Sequence, residues 1–264
     1  MPYTARRFHY LRLVRQTGKR LQWENNPKNP FDNHEEDHIS MKSMLTRITI
    51  AAAIFSAGTV GTAALPSTAT AAAATLTQGM SSADVTQLQL NLQTLGYFTY
   101  PTATGYFGSI TADAVRRFQT AYSLAVTGAA DSVTQTSISH AVVKKRLVAD
   151  SYSYIGTPYL WGGSTPSGFD CSGFVYFMFN KFGVPAVRTT SSELFKTGTP
   201  VSVSNLQPGD LVFFSINMDG VITHVGFYTG GGHFISATHS AGVFVQSLST
   251  SYWGQRYVGA RRVY

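Results

Sequence analysis

A single cysteine, Cys171, stands in a chain of 264 residues. Without a second thiol there can be no intramolecular disulfide, so the fold must be held by packing, and the thiol is either buried and inert or reactive. The material for packing is present: 44% of the residues are hydrophobic and 13% aromatic, enough for one large or two small cores. Cys171 lies in Asp170-Cys171-Ser172-Gly173-Phe174, where a polar loop gives way to an apolar stretch. Phe174, Val175, Met178 and Phe182 follow at three-to-four spacing and Gly183 closes the run, a pattern that predicts a helix starting at Cys171. A cysteine there meets the positive end of the helix dipole, which favours thiolate, the reactive form, over thiol.

The net charge of +7 is unevenly spread. Residues 1–47 hold nine Lys/Arg against five Asp/Glu, a net of +4, and the chain from Thr75 onward holds eleven against eight, a net of +3. A mild positive excess suits an anionic polymer such as a cell wall, and no basic stripe with interleaved aromatics points to nucleic acid. From Ile48 through Ser82 there is no charged residue. Lys42 and Arg47 precede an apolar, small-residue run, and Ala69-Thr70-Ala71 follows it, the order of a secretory signal peptide. A membrane anchor is the alternative, but a span needs about 20 strongly apolar residues, and Thr, Ser and Gly dilute this one. We therefore expect residues 41–74 to be a signal, with Met41 or Met44 as a start, and the mature protein to be a secreted monomer without stable membrane attachment. Residues 1–40 read as an upstream extension of the reading frame, or as the cytoplasmic tail of an anchored protein.

Residues 75–140 read as a small helical domain. Ser81-Ser82-Ala83-Asp84 caps a helix bearing Val85, Leu88, Leu92 and Leu95 and stopped by Gly96; Ser109 starts a second with Val115, Phe118 and Tyr122. Tyr97, Phe98 and Tyr106, in the loops, either pack between helices or stack on a ligand. From 141 to 264 the pattern changes to α+β: a helical lead-in with Lys144-Lys145-Arg146 as a solvated face, the Cys171 helix, and strand-like runs at 210–214, 223–228, 233–237, 243–246 and 257–264.

A thiol nucleophile needs a base, and the base needs an orienting partner. His224, His233 and His239 are the candidates on the sheet side, and His224 opens a strand, where a side chain can face a cleft. Chemistry alone leaves the choice open among them. There is no His-Glu-x-x-His and no cysteine set, so neither metal nor other cofactor is expected.

Two sets of motifs carry resemblances. Asp84-Val85, Leu88-Gln89, Leu95-Gly96-Tyr97, Thr104-Gly105-Tyr106-Phe107-Gly108, Thr111, Ala114-Val115, Phe118-Gln119 and Gly128 resemble the three-helix peptidoglycan-binding domain family, which implies wall targeting. Ala129-Ala130-Asp131 departs from that pattern, where another glycine is usual, and leaves the start of the third helix open. Pro158 to Gly163, Asp170 to Phe174, Pro208-Gly209-Asp210-Leu211, His224 to Tyr228, and Tyr252-Trp253 with Ala260-Arg261-Arg262 resemble the NlpC/P60 family of papain-like cell-wall cysteine peptidases.

That resemblance implies a nucleophile helix packed on an antiparallel sheet, with Cys171 as nucleophile and His224 as base. Many members have a histidine twelve residues after the base, where this chain has Ser236; its hydroxyl, or a backbone carbonyl nearby, would then orient the imidazole. Tyr159 would help stabilise the tetrahedral intermediate or simply pack. Asp170 and Ser172 would hold a substrate amine or cap the helix, and Arg188 would bind a substrate carboxylate or pair with Glu193. The implied substrate is a peptidoglycan stem peptide, cut between the γ-carboxyl of D-glutamate and a diamino acid. A non-catalytic wall-binding protein and an amidase or acyltransferase using the same cysteine are the competing classes.

Overall fold

The computed structural model describes residues 74–264. The expected extension at 1–40 and, except for Ala74, the expected signal at 41–74 lie outside the described residues. The helical part is built from α1 (Ala83–Leu95), α2 (Ser109–Ala121) and α3 (Ser132–Ser151). Ser82 caps α1 by accepting the Val85 N–H, and Gly96 ends it at φ 87°, a left-handed position that glycine fills without strain. Asp131 caps α3 by accepting the Thr134 N–H at 2.8 Å, so the helix starts without the expected glycine. Val85, Leu88, Leu92, Val115, Phe118 and Ile138 form the core, together with Phe98. Phe98 is therefore a packing residue, whereas Tyr106 stays about half exposed.

Two buried glutamines lock the loops of this core. The Gln89 amide donates to Tyr106 O and Thr111 Oγ1 and accepts the Gly105 N–H, each at 2.9 Å. Gln119 donates to Ala129 O and Thr134 Oγ1 and accepts from the N–H groups of Thr127 and Gly128. Buried amides satisfied in this way fix a loop at little net cost.

The second part has a short hairpin, β1 (Ser164–Thr165) and β2 (Gly168–Phe169), then α4 (Cys171–Lys181) and α5 (Ser191–Phe195). It continues with β3 (Thr199–Val201), β4 (Leu211–Phe214), β5 (His224–Gly230), β6 (His233–Thr238), β7 (Gly242–Ser247), α6 (Ser251–Arg256) and β8 (Tyr257–Arg262). The six longer strands form one antiparallel sheet in the order β3-β8-β4-β5-β6-β7. Strand alternation gives it two apolar faces. Phe213, Val225, Phe227, Ile235 and Val243 meet Phe174, Val175, Met178 and Phe179 of α4. Phe214 and Phe234 lie on the opposite face, under Trp253 of α6.

The expected division at 140/141 falls inside α3, whose 20 residues serve both cores: Ile138 and Ala141 pack among the helices, Leu147 and Val148 against the α4 side of the sheet. Lys145 and Arg146 are exposed, as expected of a solvated face, but Lys144 is not. It is 1% exposed, because Asp210 draws it inward: Asp210 accepts from Lys144 Nζ at 3.5 Å, from Arg262 Nε at 2.9 Å and Nη2 at 2.7 Å, and from the Gln207 N–H. Burial lowers the Lys144 pKa to about 8 despite the Asp210 charge. Arg262 also lies over the ring of Tyr122, just after α2, 4.6 Å from its centre.

Candidate active site

The helix that carries Cys171 is set by its cap. Asp170 Oδ1 accepts the Gly173 N–H at 2.7 Å, and Oδ2 accepts the Gly162 N–H at 2.8 Å, so one carboxylate joins the first turn of α4 to the preceding loop. Gly173 is required by that closeness: a Cβ there would lie 1.9 Å from Gly163 O. The apolar face of α4 then sinks into the sheet and leaves Cys171 at the edge of a cleft of about 820 Å³. Its thiol donates to Thr223 O at 4.0 Å, the residue before His224, and His224 lines the same cleft.

His224 is held from behind. Its Nε2 lies 2.9 Å from Ser236 Oγ, both residues buried, and its ring lies 5.2 Å from that of Trp253. With Nε2 carrying the proton toward Ser236 Oγ, Nδ1 is the basic nitrogen. Gly226 makes the contact possible, since a Cβ there would come within 2.9 Å of Ser236 Cβ.

Burial decides the resting charges, against the expectation from the helix dipole. It pushes the Cys171 thiol up to about 11, with backbone N–H groups of Val225, Ser172 and Cys171 opposing and Asp170 adding to the rise. It lowers His224 to about 4. The free site at neutral pH therefore holds a thiol and a neutral imidazole. Among the described residues no group of three or more His, Cys, Asp or Glu side chains is placed to hold a metal ion.

This constellation can be set beside known proteins. Residues 156–262 match the NlpC/P60 family, and residues 81–138 match the peptidoglycan binding domain family. The chain carries an NlpC/P60 domain. It is 42% identical over 118 residues to the gamma-DL-glutamyl hydrolase of Bacillus subtilis (strain 168), covering 44% of this chain and 28% of that protein. It is 43% identical over 113 residues to the murein DD-endopeptidase MepH of Escherichia coli (strain K12), covering 41% of this chain and 42% of that protein. The chain thus spans less than half of either relative. The crystal structure of the NlpC/p60 domain of peptidoglycan hydrolase SagA aligns with a TM-score of 0.40 at 36% identity, covering 46% of this chain and 98% of that one.

Within the NlpC/P60 domain the remaining expected residues sort by position. Tyr159 lines the cleft beside Cys171; its phenol is raised by burial and then by the neighbouring Cys171 and Asp170. Ser172 donates to Asp170 Oδ1 and accepts from Arg188 Nη1 at 2.7 Å. Arg188 also pairs with Asp170, while Glu193 pairs with Lys196, so the alternative of an Arg188–Glu193 pair is overturned: the carboxylate at the helix cap is closer and more buried. His233 is exposed and bonds Gly231 O, and His239, also exposed, lines the cleft with its ring 5.6 Å from that of Tyr159. Residues the pattern did not single out as cleft wall are Phe244, Gln246 and Thr250. Their one visible signal is a polar residue closing the alternating run Val243-Phe244-Val245-Gln246.

Proposed function

We propose that this protein is a secreted peptidoglycan hydrolase, a cysteine endopeptidase of wall stem peptides whose helical module holds it to the wall. The observation that carries the reading is the cleft shared by Cys171 and His224, with Ser236 Oγ against His224 Nε2. The relatives named for glutamyl and murein peptide bonds support the substrate class. The bond between the γ-carboxyl of D-glutamate and a diamino acid is the preferred site.

Cys171 Sγ attacks the scissile carbonyl as His224 Nδ1 takes the thiol proton, giving a tetrahedral intermediate. The first-turn N–H of Cys171 and the Tyr159 hydroxyl are the donors for its oxygen. The imidazolium then protonates the leaving amine, the C–N bond breaks and a thioester remains. Water, deprotonated by the same imidazole, attacks that thioester, and the acid and the thiol are released. Ser236 acts throughout as a positioning residue, keeping Nδ1 as the free base. Arg188 holds Asp170 and Ser172, the residues on either side of Cys171 in the chain, which are candidates to receive the substrate's amine.

The reading is tested on a soluble stem peptide. Cys171→Ala abolishes cleavage, His224→Ala reduces it by roughly 10⁴–10⁶-fold, the scale on which members of a catalytic unit act, and Ser236→Ala costs less, roughly tenfold. Equal collapse for Ser236→Ala and His224→Ala would make the hydroxyl indispensable; full activity of Cys171→Ala would end the proposal.

A further inference from the structure

Gln246 differs from the two other buried glutamine amides described above. Gln89 and Gln119 each use the side-chain amide fully, but Gln246 Nε2 is buried with no hydrogen-bond partner. Tyr257 Oη and Arg261 Nε share that condition among the described residues; of the three groups, Gln246 is the one that lines the catalytic cleft. Leaving a buried amide donor unpaired is costly, and such a group in a native chain calls for an explanation, of which a functional role is one.

The sheet register places Gln246 in the right part of the cleft. On β7 it lies opposite Phe234, and Phe244 lies opposite Ser236, so the side chains of Gln246, Phe244 and Ser236 share the face that carries His224. Phe244 and Tyr252, 50% and 47% exposed, flank this arm of the cleft, which extends past His224 to Ser247 and Thr250. An arm walled by exposed aromatic rings and carrying one unpaired amide donor suits an extended peptide that offers the amide an acceptor.

We propose that Gln246 is a substrate-binding residue whose amide N–H donates to a carbonyl or carboxylate oxygen of the stem peptide in this arm. The inference rests on the peptidase reading of the cleft. The donor adds affinity for the bound peptide at a distance from the reacting bond.

The test uses the full chain and a soluble stem tetrapeptide. Calorimetry compares its binding to Cys171→Ala alone and combined with Gln246→Met or Gln246→Glu, while kcat and KM are measured for Gln246→Met in the active protein. Gln246→Met weakens binding roughly tenfold, one lost hydrogen bond, and raises KM with kcat nearly unchanged. Gln246→Glu, similar in shape but an acceptor, weakens binding at least as much. Thermal midpoints of the free variants stay level, because no internal bond is lost. Unchanged binding by Gln246→Met, tighter binding by Gln246→Glu, or a fall in the thermal midpoint of Gln246→Met would each overturn the assignment. If the tetrapeptide binds but the active protein does not cleave it, the peptidase reading fails, and the binding comparison still decides the role of Gln246. Failure of the Cys171→Ala protein to bind it overturns both.

Discussion

Asp170 and Asp210 are both buried carboxylates paired with an arginine, yet they do different work. Asp170 is bound by its own neighbourhood: the cap of α4, the Gly162 N–H, and Arg188 eighteen residues on. It fixes where Cys171 stands. Asp210 is bound across the chain, by Lys144 from α3 and Arg262 from β8. It fixes how the helices meet the sheet, away from the cleft. Two of the motifs quoted from the sequence, Pro208-Gly209-Asp210-Leu211 and Ala260-Arg261-Arg262, thus contribute the two ends of one ion pair. A motif shared with a family of enzymes can serve the fold rather than the chemistry.

The sharpest way to break this distinction is Asp210→Ala. It leaves Lys144 and Arg262 buried without their counter-charge, and we expect a loss of about 3–5 kcal/mol in denaturant-measured stability, with kcat/KM of the folded fraction nearly unchanged. A large drop in kcat/KM at full folding would merge the two sites into one.

Each region also holds a buried base, and both make stability rise with pH, in separate windows. His224, lowered to about 4 from 6.5, takes up a proton in the unfolded chain first, so stability falls as pH drops from about 6.5 to 4. Lys144, lowered to about 8 from 10.5, loses its proton in the folded chain first, so stability rises as pH climbs from about 8 to 10.5. Each change should amount to on the order of 3 kcal/mol over its window. In equilibrium unfolding, His224→Gln should remove the acid slope alone and Lys144→Met the alkaline slope alone.

Asp170→Ala should cost less stability, about 1–2 kcal/mol for a lost cap, but should lower kcat/KM because Cys171 is no longer held. Stability loss without an activity change would remove Asp170 from the site. The smallest effect belongs to Lys144→Met at neutral pH. Arg262 still neutralises Asp210, so the change should stay within about 1 kcal/mol, and a larger loss would show that the lysine carries the junction.

Much of the architecture was legible in local pattern. The stripe Val85-Leu88-Leu92, the run after Cys171 and the alternating strands around His224 each repeat with the period of the element they form. Cys171, His224 and Ser236, which the structure gathers at one cleft and its backing, were legible as positions within or counted from motifs. What could not be read locally are pairings set by tertiary packing. Lys144 looks solvated because its partner lies 66 residues away, and Arg188 seems suited to Glu193 because the nearer sequence neighbour is not the nearer neighbour in space. Short elements such as α5, α6 and β3 escape periodicity because they are too brief to repeat. The continuity of α3 across the expected boundary has a practical consequence: deleting residues 75–140 would cut a helix and strip Arg262 of its stacking partner Tyr122. The module's contribution to wall retention is better tested by substitution at exposed Tyr106.

The central claim is that Cys171 cuts peptide bonds of the wall. Purified peptidoglycan is digested with wild type and with Cys171→Ala, and the soluble fragments are analysed by mass. The account predicts fragments from wild type cut within the stem peptide, and none from Cys171→Ala. No new fragments from wild type, or fragments cut at the sugar–peptide junction, would contradict it.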